Sequence, residues 1–252
     1  MVPGGEGCCE YIKCIDGLEL PLMTPSAVIF DLGGTLIDNW DQDAYIVRVR
    51  EIARVLSMDS DELVSNWIDP EAVRMCLTGG FADVPAQLEY CVRKPLACFD
   101  AEKVNLALNM HDDFTRRSMV PRAGAIDTLK ELRSRGCRVG LLSDCGPDIP
   151  TLWGASEFAP HFDGLVFSCR TGTKKPDPKI YQLAYNSLGV KPEGCVYVAD
   201  GNSMELTGAR NAGMSAVLIC MPQDREQIMQ REDPRSWDGP VIEDIREILS
   251  VI

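Results

Sequence analysis

The stretch that decides the fold is VIFDLGGTLID, residues 28–38. Val28, Ile29 and Phe30 form a short apolar run with two β-branched members, the composition of a strand buried on both faces. The run delivers a carboxylate, Asp31, to a Gly33-Gly34-Thr35 turn. Two questions follow from it. Why is an acid presented at the tip of a buried strand, and why is the residue two places later a glycine?

The rest of the chain answers in texture. After Pro121 apolar strands alternate with amphipathic helices: AIDTLKELRSRG, then CRVGLLSD, GLVFS, PDPKIYQLAYNSLG, CVYVAD, MELTGARNAG and SAVLIC. Short apolar strands separated by amphipathic helices predict a parallel sheet covered on both faces. From about residue 40 to 118 the period is helical instead. AYIVRVREIARVL carries apolar residues at three- and four-residue spacing, Ser60-Asp61-Glu62 reads as a helix start, and VPAQLEYCV and VNLALNMHDDF continue the series. The predicted class is α/β: a Rossmann-like doubly wound parallel sheet with a helical cap domain inserted after the first strand. Residues 26–38 and 119–252 form the core domain, 39–118 the cap, and 1–25 a Gly- and Pro-rich N-terminal extension to which no role is assigned.

Composition excludes several classes of function. The 252 residues carry 45% hydrophobic and 25% charged side chains, ordinary for a globular protein. A net charge of −13 without any basic stripe argues against a nucleic-acid or anionic-membrane surface. It leaves room for a small anionic substrate, because one lysine and a metal ion make a local positive site. No run approaches the roughly 20 apolar residues of a membrane span. The eleven cysteines are odd in number and irregular in spacing, and no cationic-then-apolar segment opens the chain, so reduced thiols and a cytoplasmic location are expected. Cys8, Cys9 and Cys14 lack zinc-ligand spacing, and His111 and His161, the two histidines, stand far from them.

Parallel sheets carry their chemistry at the carboxyl ends of the strands. The polar residues there are Asp31 after VIF, Ser143 and Asp144 after VGLL, and Asp200 after CVYVA. Any one would serve as a turn residue or helix cap. Three strand ends of this kind, with the lysine of TGTKKPDP, favour a site.

In order and spacing these residues resemble the haloacid dehalogenase-like hydrolases over about residues 26–220. The four motifs match Asp31-Leu32-Gly33-Gly34-Thr35, Ser143 after a strand, Lys175 before a Pro-Asp-Pro helix start, and Ala199-Asp200 with Glu205. The resemblance implies a magnesium-dependent phosphatase acting on a small phosphorylated metabolite, with Asp31 as the nucleophile that becomes esterified. It implies magnesium on Asp31, the carbonyl of Gly33, Asp200 and Glu205, and a phosphoryl group held by Ser143, Asp144 and Lys175. The residue types agree with those roles: a carboxylate can attack phosphorus, an all-oxygen set suits magnesium, and a lysine offsets clustered acids. Lys174 ranks second to Lys175, one place off the Lys-Pro spacing. Glu205 stands five residues after Asp200, with Met204 at four, and could also be a first-turn helix acid favoured by the macrodipole.

Gly33 departs from the pattern. Family phosphatases carry there an Asp that protonates the leaving oxygen and then activates water. General acid–base catalysis is typically worth about 10²–10⁴-fold. Three responses stay open: substrates with good leaving groups (acyl, aryl or anomeric phosphates), an acid borrowed from the cap or the substrate, or a weakened relative that binds phosphoesters without turning them over. Cleavage of 2-haloacids needs no such acid, but Asp200 stands where those enzymes resemble Ser and use no metal. A Schiff-base mechanism would need an early cap lysine, and the sequence has none between Lys13 and Lys94. The paired Gly79-Gly80 is taken as a substrate-facing loop, with a plain helix-to-helix turn as the alternative. Arg48, Arg50 and Arg54 read as a solvated helix face, Cys145 as a loop cysteine, and Gln223 to Asp238 as solvated loop and helix. Substrate identity and oligomeric state stay outside what the sequence states.

Overall fold

The alternation in the first strand builds the molecule. In a strand, successive side chains face opposite ways. In β1, Ala27–Phe30, Val28 and Phe30 therefore enter one apolar cluster while Ala27 and Ile29 enter another. All four are buried, because β1 lies between two parallel neighbours. The structure, a computed structural model, describes residues 25–39 and 41–252. Of the expected N-terminal extension, all but Pro25 lies outside the described residues.

The other strands are β2, Arg138–Ser143; β3, Gly164–Phe167; β4, Cys195–Ala199; β5, Ser215–Ile219; and β6, Val241–Ile242. They pair in parallel in the order β3-β2-β1-β4-β5-β6. Phe30 sits opposite Leu141 on one side and Val198 on the other. The chain moves outward from β1 through β2 to β3 and then returns to start β4 on the opposite side. That reversal opens a crevice beyond the carboxyl ends of β1 and β4, where ligands bind in open α/β sheets. On one face lie Ala125, Leu129 and Leu132 of the helix Ala125–Ser134, with Ile248 near the C-terminus. On the other lie Ile180, Tyr181 and Ala184 of the helix Pro178–Ser187, with Leu206 and Ala209 of the helix Glu205–Asn211. The strands predicted from VIF, CRVGLLS, GLVF, CVYVA and SAVLI are present, and β6 adds an edge strand the sequence reading did not contain.

Between β1 and β2 come the helices Gln42–Val55, Ser60–Trp67, Pro70–Leu77, Val84–Val92 and Ala101–Ser118. Each begins after an aspartate whose carboxylate accepts a first-turn N–H: Asp41, Asp59, Asp69, Asp83 and Asp100. Such caps are worth about 1 kcal/mol apiece and explain part of the acidic composition. The start expected at Ser60 is capped one residue earlier, by Asp59. These helices bury a cluster of their own, with Val49, Ile52, Leu63, Trp67, Leu88 and Val92 among its members. No helix of the described residues is long and apolar enough to cross a membrane.

The segment from Gln223 to Asp238 corrects the sequence reading. It makes two short helical turns, Arg225–Ile228 and Glu232–Arg235, and it is not merely solvated. Asp233 is buried and accepts from the Leu206 N–H at 2.8 Å, the Thr207 N–H at 3.3 Å and the Thr207 hydroxyl at 2.5 Å. It satisfies first-turn N–H groups of the helix Glu205–Asn211 from a distant part of the chain, a pairing that no local pattern predicts. Asp233→Ala leaves those donors without their acceptor. It should cost about 2 kcal/mol, read as a lower midpoint in urea unfolding at unchanged slope.

Candidate active site

At the end of β1 the chain turns sharply, and Gly34 makes the turn possible. Its φ is +73°, and a Cβ there would stand 2.0 Å from Asp200 Oδ2. Glycine thus serves both the backbone conformation and the close approach of a carboxylate. Gly33 differs: a Cβ at this position would meet nothing within 4 Å. The glycine that removes the expected acid therefore leaves open space beside Asp31.

Lys175 reaches this point from the loop before the helix Pro178–Ser187. Its Nζ lies 2.6 Å from Asp31 Oδ1 and 2.5 Å from Glu205 Oε2, and its backbone N–H donates to Asp144 Oδ1 at 3.1 Å. The Tyr197 hydroxyl, on β4, donates to Glu205 Oε2 at 2.8 Å, and Tyr181 donates to the Glu205 carbonyl at 3.0 Å. Lys174 turns away, its Nζ donating to the Lys175 carbonyl at 3.3 Å. Ser143, Asp31, Lys175, Asp200 and Glu205 are all buried.

Burying so many charges together moves their protonation. Burial pushes Asp31 up to about 6, with Lys175 opposing and Asp200 adding to the rise. Burial also drives Glu205 well above the usual carboxylate range, against the pull of Lys175. Burial works against the charge of Lys175, but Asp31, Glu205 and Asp144 outweigh it and hold the ammonium well above its ordinary value. Three carboxylates around one lysine remain under-compensated.

A cation fits that deficit. One oxygen from each of Asp31, Asp200 and Glu205 lies within 4.8 Å of the other two, and all three residues are buried. Glu205 Oε1 is buried without a hydrogen-bond partner, a free acceptor aimed at nothing in the protein. Hard oxygen donors of this kind match magnesium. The sequence reading had no place for the Arg231 guanidinium, yet its Nη1 forms an ion pair with Asp200 Oδ2 at 2.5 Å, without hydrogen-bond alignment.

Above these residues is a cavity of about 370 Å³. Asp31, Gly33, Ser143, Asp144, Lys175 and Arg231 line its sheet side, and Tyr45, Trp67 and Gln87 come from the helices between β1 and β2. Trp67 Nε1 donates to the Tyr45 hydroxyl at 2.7 Å. Asp148, after β2, also lines it. Its Oδ2 accepts from the Thr115 hydroxyl at 2.7 Å and lies 3.6 Å from His111 Nε2. Burial works to raise the Asp148 carboxyl, but His111 and Thr115 outweigh it and hold it below the usual range.

Two glycines expected in the substrate loop lie elsewhere. Gly79 and Gly80 are not among the residues around the cavity. A Cβ on Gly79 (φ +78°) would stand 2.8 Å from the Cys169 carbonyl, and one on Gly80 would stand 2.6 Å from Met75 Cβ. The pair permits close packing against Cys169 and Met75. Cys145 lines the cavity, but burial pushes its thiol well above its ordinary value, which suits an inert loop residue. Arg48 pairs with Glu51 on its own helix, Arg50 pairs with Asp61 on the next one, and Lys103 donates to Ser57 at 2.9 Å. None of these cations, nor Lys94, lines the cavity.

The sequence reading missed Tyr197, Asp148 and Arg231. Tyr197 was one residue of an apolar strand, Asp148 one of many acids, and Arg231 part of a segment read as solvated. Only the first had a local signal: an inward position on a strand that ends at Asp200.

With this geometry in place, comparison with known proteins is informative. A family model described as haloacid dehalogenase-like hydrolase matches residues 25–213. The chain is similar to a phosphoserine phosphatase of Thermus thermophilus, 33% identical over 135 residues, covering 53% of this chain and 51% of that protein. It is also similar to a glyceraldehyde 3-phosphate phosphatase of Methanopyrus kandleri, 31% identical over 173 residues, covering 67% and 72%. The matches span about half the length of several curated relatives, the Thermus thermophilus protein among them. Among solved structures, the L-2-haloacid dehalogenase of Xanthobacter autotrophicus with chloropropionic acid covalently bound shares the fold. It superposes with a TM-score of 0.59 at 20% identity, over 90% of this chain and 98% of that one. The family match runs from the first strand through Glu205, and Asp31, Lys175, Asp200 and Glu205 meet at one end of the sheet: the chain belongs to the haloacid dehalogenase-like hydrolase family.

Proposed function

We propose that the protein is a magnesium-dependent phosphomonoesterase that works through Asp31. The observation that carries this reading is the buried set of Asp31, Asp200 and Glu205 beside Lys175, with Asp31 and Lys175 lining a cavity. Similarity to proteins named as phosphatases supports it. The chain's small phosphorylated substrate and its cytoplasmic setting belong to the same proposal, the second on cysteine pattern alone.

Asp31, Asp200 and Glu205, with the Gly33 carbonyl, would hold magnesium, which when bound supplies positive charge against the phosphoryl oxygens. Asp31 attacks phosphorus, so an Asp31 oxygen–phosphorus bond forms as the phosphorus–ester oxygen bond breaks. The electron pair goes to the departing oxygen. Lys175, fixed on Asp31 and Glu205, keeps a positive charge beside the nucleophile. Ser143 offers a hydroxyl donor to the phosphoryl group. Water then cleaves the aspartyl phosphate and frees Asp31. The helices of residues 39–118 act as a cap, with Tyr45 and Trp67 over the cavity excluding water from the first half of the reaction.

The unassisted step is protonation of the leaving oxygen. Gly33 supplies no acid, and Asp148 is held in its charged form by His111 and Thr115. A substrate whose leaving group is stable as an anion is therefore favoured.

The pair Asp200 and Glu205 beside Asp31 favours this reading over haloacid cleavage, for which the shared fold gives no separate support. Halide release from 2-chloropropionate without metal would reverse that preference. Binding of phosphoesters without turnover under any divalent metal would make the protein a phospho-ligand-binding relative.

Three outcomes are expected. An aryl phosphate should be hydrolysed faster than an alkyl phosphate by about 10²-fold or more, and chelation of divalent metal should remove both activities. Asp31→Asn should lower kcat for the aryl ester by at least about 10³-fold while leaving thermal unfolding cooperative. Gly33→Asp has room for its side chain and should raise alkyl phosphate turnover by about 10²-fold. No gain there, in steady-state assays, would mean that the proton has another source.

A further inference from the structure

Among the described residues, Arg231 is the one cation lining the cavity that no motif contains. It lies beyond residues 25–213, the span of the family match, on the segment joining β5 to β6. The segment is anchored on both sides of it. Arg122 Nη2 donates to Asp224 Oδ2 at 2.6 Å, and Asp233 holds the N–H groups of Leu206 and Thr207. Between these anchors the Arg231 guanidinium points at the site. Nη1 lies 2.5 Å from Asp200 Oδ2 and donates to the Asp200 carbonyl at 3.3 Å, while Nη2 donates to Asn39 Oδ1 at 3.3 Å.

A carboxylate with 1% side-chain exposure needs a counter-charge, and Arg231 supplies it to Asp200. The same carboxylate belongs to the three-acid set that fits a divalent cation. A guanidinium at ion-pair distance occupies one side of that oxygen and offsets its charge, and a second cation brought to the same carboxylate meets its repulsion across this short distance.

We propose that Arg231 is a tethered competitor of the divalent cation for Asp200. The guanidinium keeps the buried acid neutralised, and its positive charge disfavours metal binding until it moves away from Oδ2. The apparent metal affinity is then the intrinsic affinity reduced by the fraction of molecules in which Arg231 has let go. The inference rests on the reading of Asp31, Asp200 and Glu205 as a cation site and adds to it a residue outside the motifs.

The test is calorimetric titration of the full chain with magnesium chloride alone, with no phosphoester present. Arg231→Gln should bind magnesium about tenfold or more tightly than the wild type, since releasing a competitor that holds most molecules restores the lost affinity. Arg235→Gln removes an equal charge from an exposed position of the same segment, and it should change the affinity by less than about twofold because surface charge is screened. Asn39→Ala removes the Nη2 acceptor and should tighten binding to a smaller extent. It decides the question if Arg231→Gln does not fold by circular dichroism. Equal or weaker binding in Arg231→Gln, or equal tightening in Arg235→Gln, overturns the competition while leaving the cation site standing. Absence of magnesium binding in every variant overturns both.

Discussion

The structure depends on one constraint: acids buried together at the ends of parallel strands must be given positive charge. Asp31, Asp200 and Glu205 converge where β1 and β4 end, and Lys175 stands between two of them at hydrogen-bond distance. Each carboxylate is costly there alone, and the raised protonation of Asp31 and Glu205 expresses that cost. A deficit of this kind suits a cation and an anionic group bridged by it, which is the chemistry that phosphoryl transfer asks of a protein.

The rest of the fold keeps that arrangement rigid. β1 is buried on both faces and paired on both edges, so Asp31 projects from an element with little freedom. Tyr197 and Tyr181 hold Glu205 from the side chain and the main chain. Asp233 caps the helix that starts at Glu205, so a residue of the C-terminal segment fixes the position of an acid in the centre. Five capped helices between β1 and β2 bring Tyr45, Trp67 and Gln87 to the same cavity that Asp31 and Lys175 line. Gly33 gives the site its specific character, because it leaves open space beside the clustered charges where a side chain would stand.

Much of this was legible before the structure. The apolar strands, their punctuation by acids and serine, and the helical block came from local periodicity, which depends on neighbours within a few residues. Element ends were read in part: the second helix starts at Ser60 as expected, while its cap, Asp59, is recognised only by the geometry of a side chain that accepts an N–H. Gly79 and Gly80 were misplaced for a related reason. Paired glycines announce that something comes close, and the sequence does not say whether that is a ligand or, as here, the backbone of Cys169.

The sequence by itself determined the parallel sheet, the strand that carries Asp31 and the set of acids and lysine at strand ends, because each follows from a short pattern. Only the tertiary structure decided which of them touch and who joins them. Lys175 meets Asp31 across 144 residues, and Arg231 reaches Asp200 across 31. Contacts at such separations depend on where the chain returns after several elements have packed. Periodicity carries no record of that, and so Arg231, Tyr197 and Asp148 became visible as site residues only when the sheet and its helices were assembled around them.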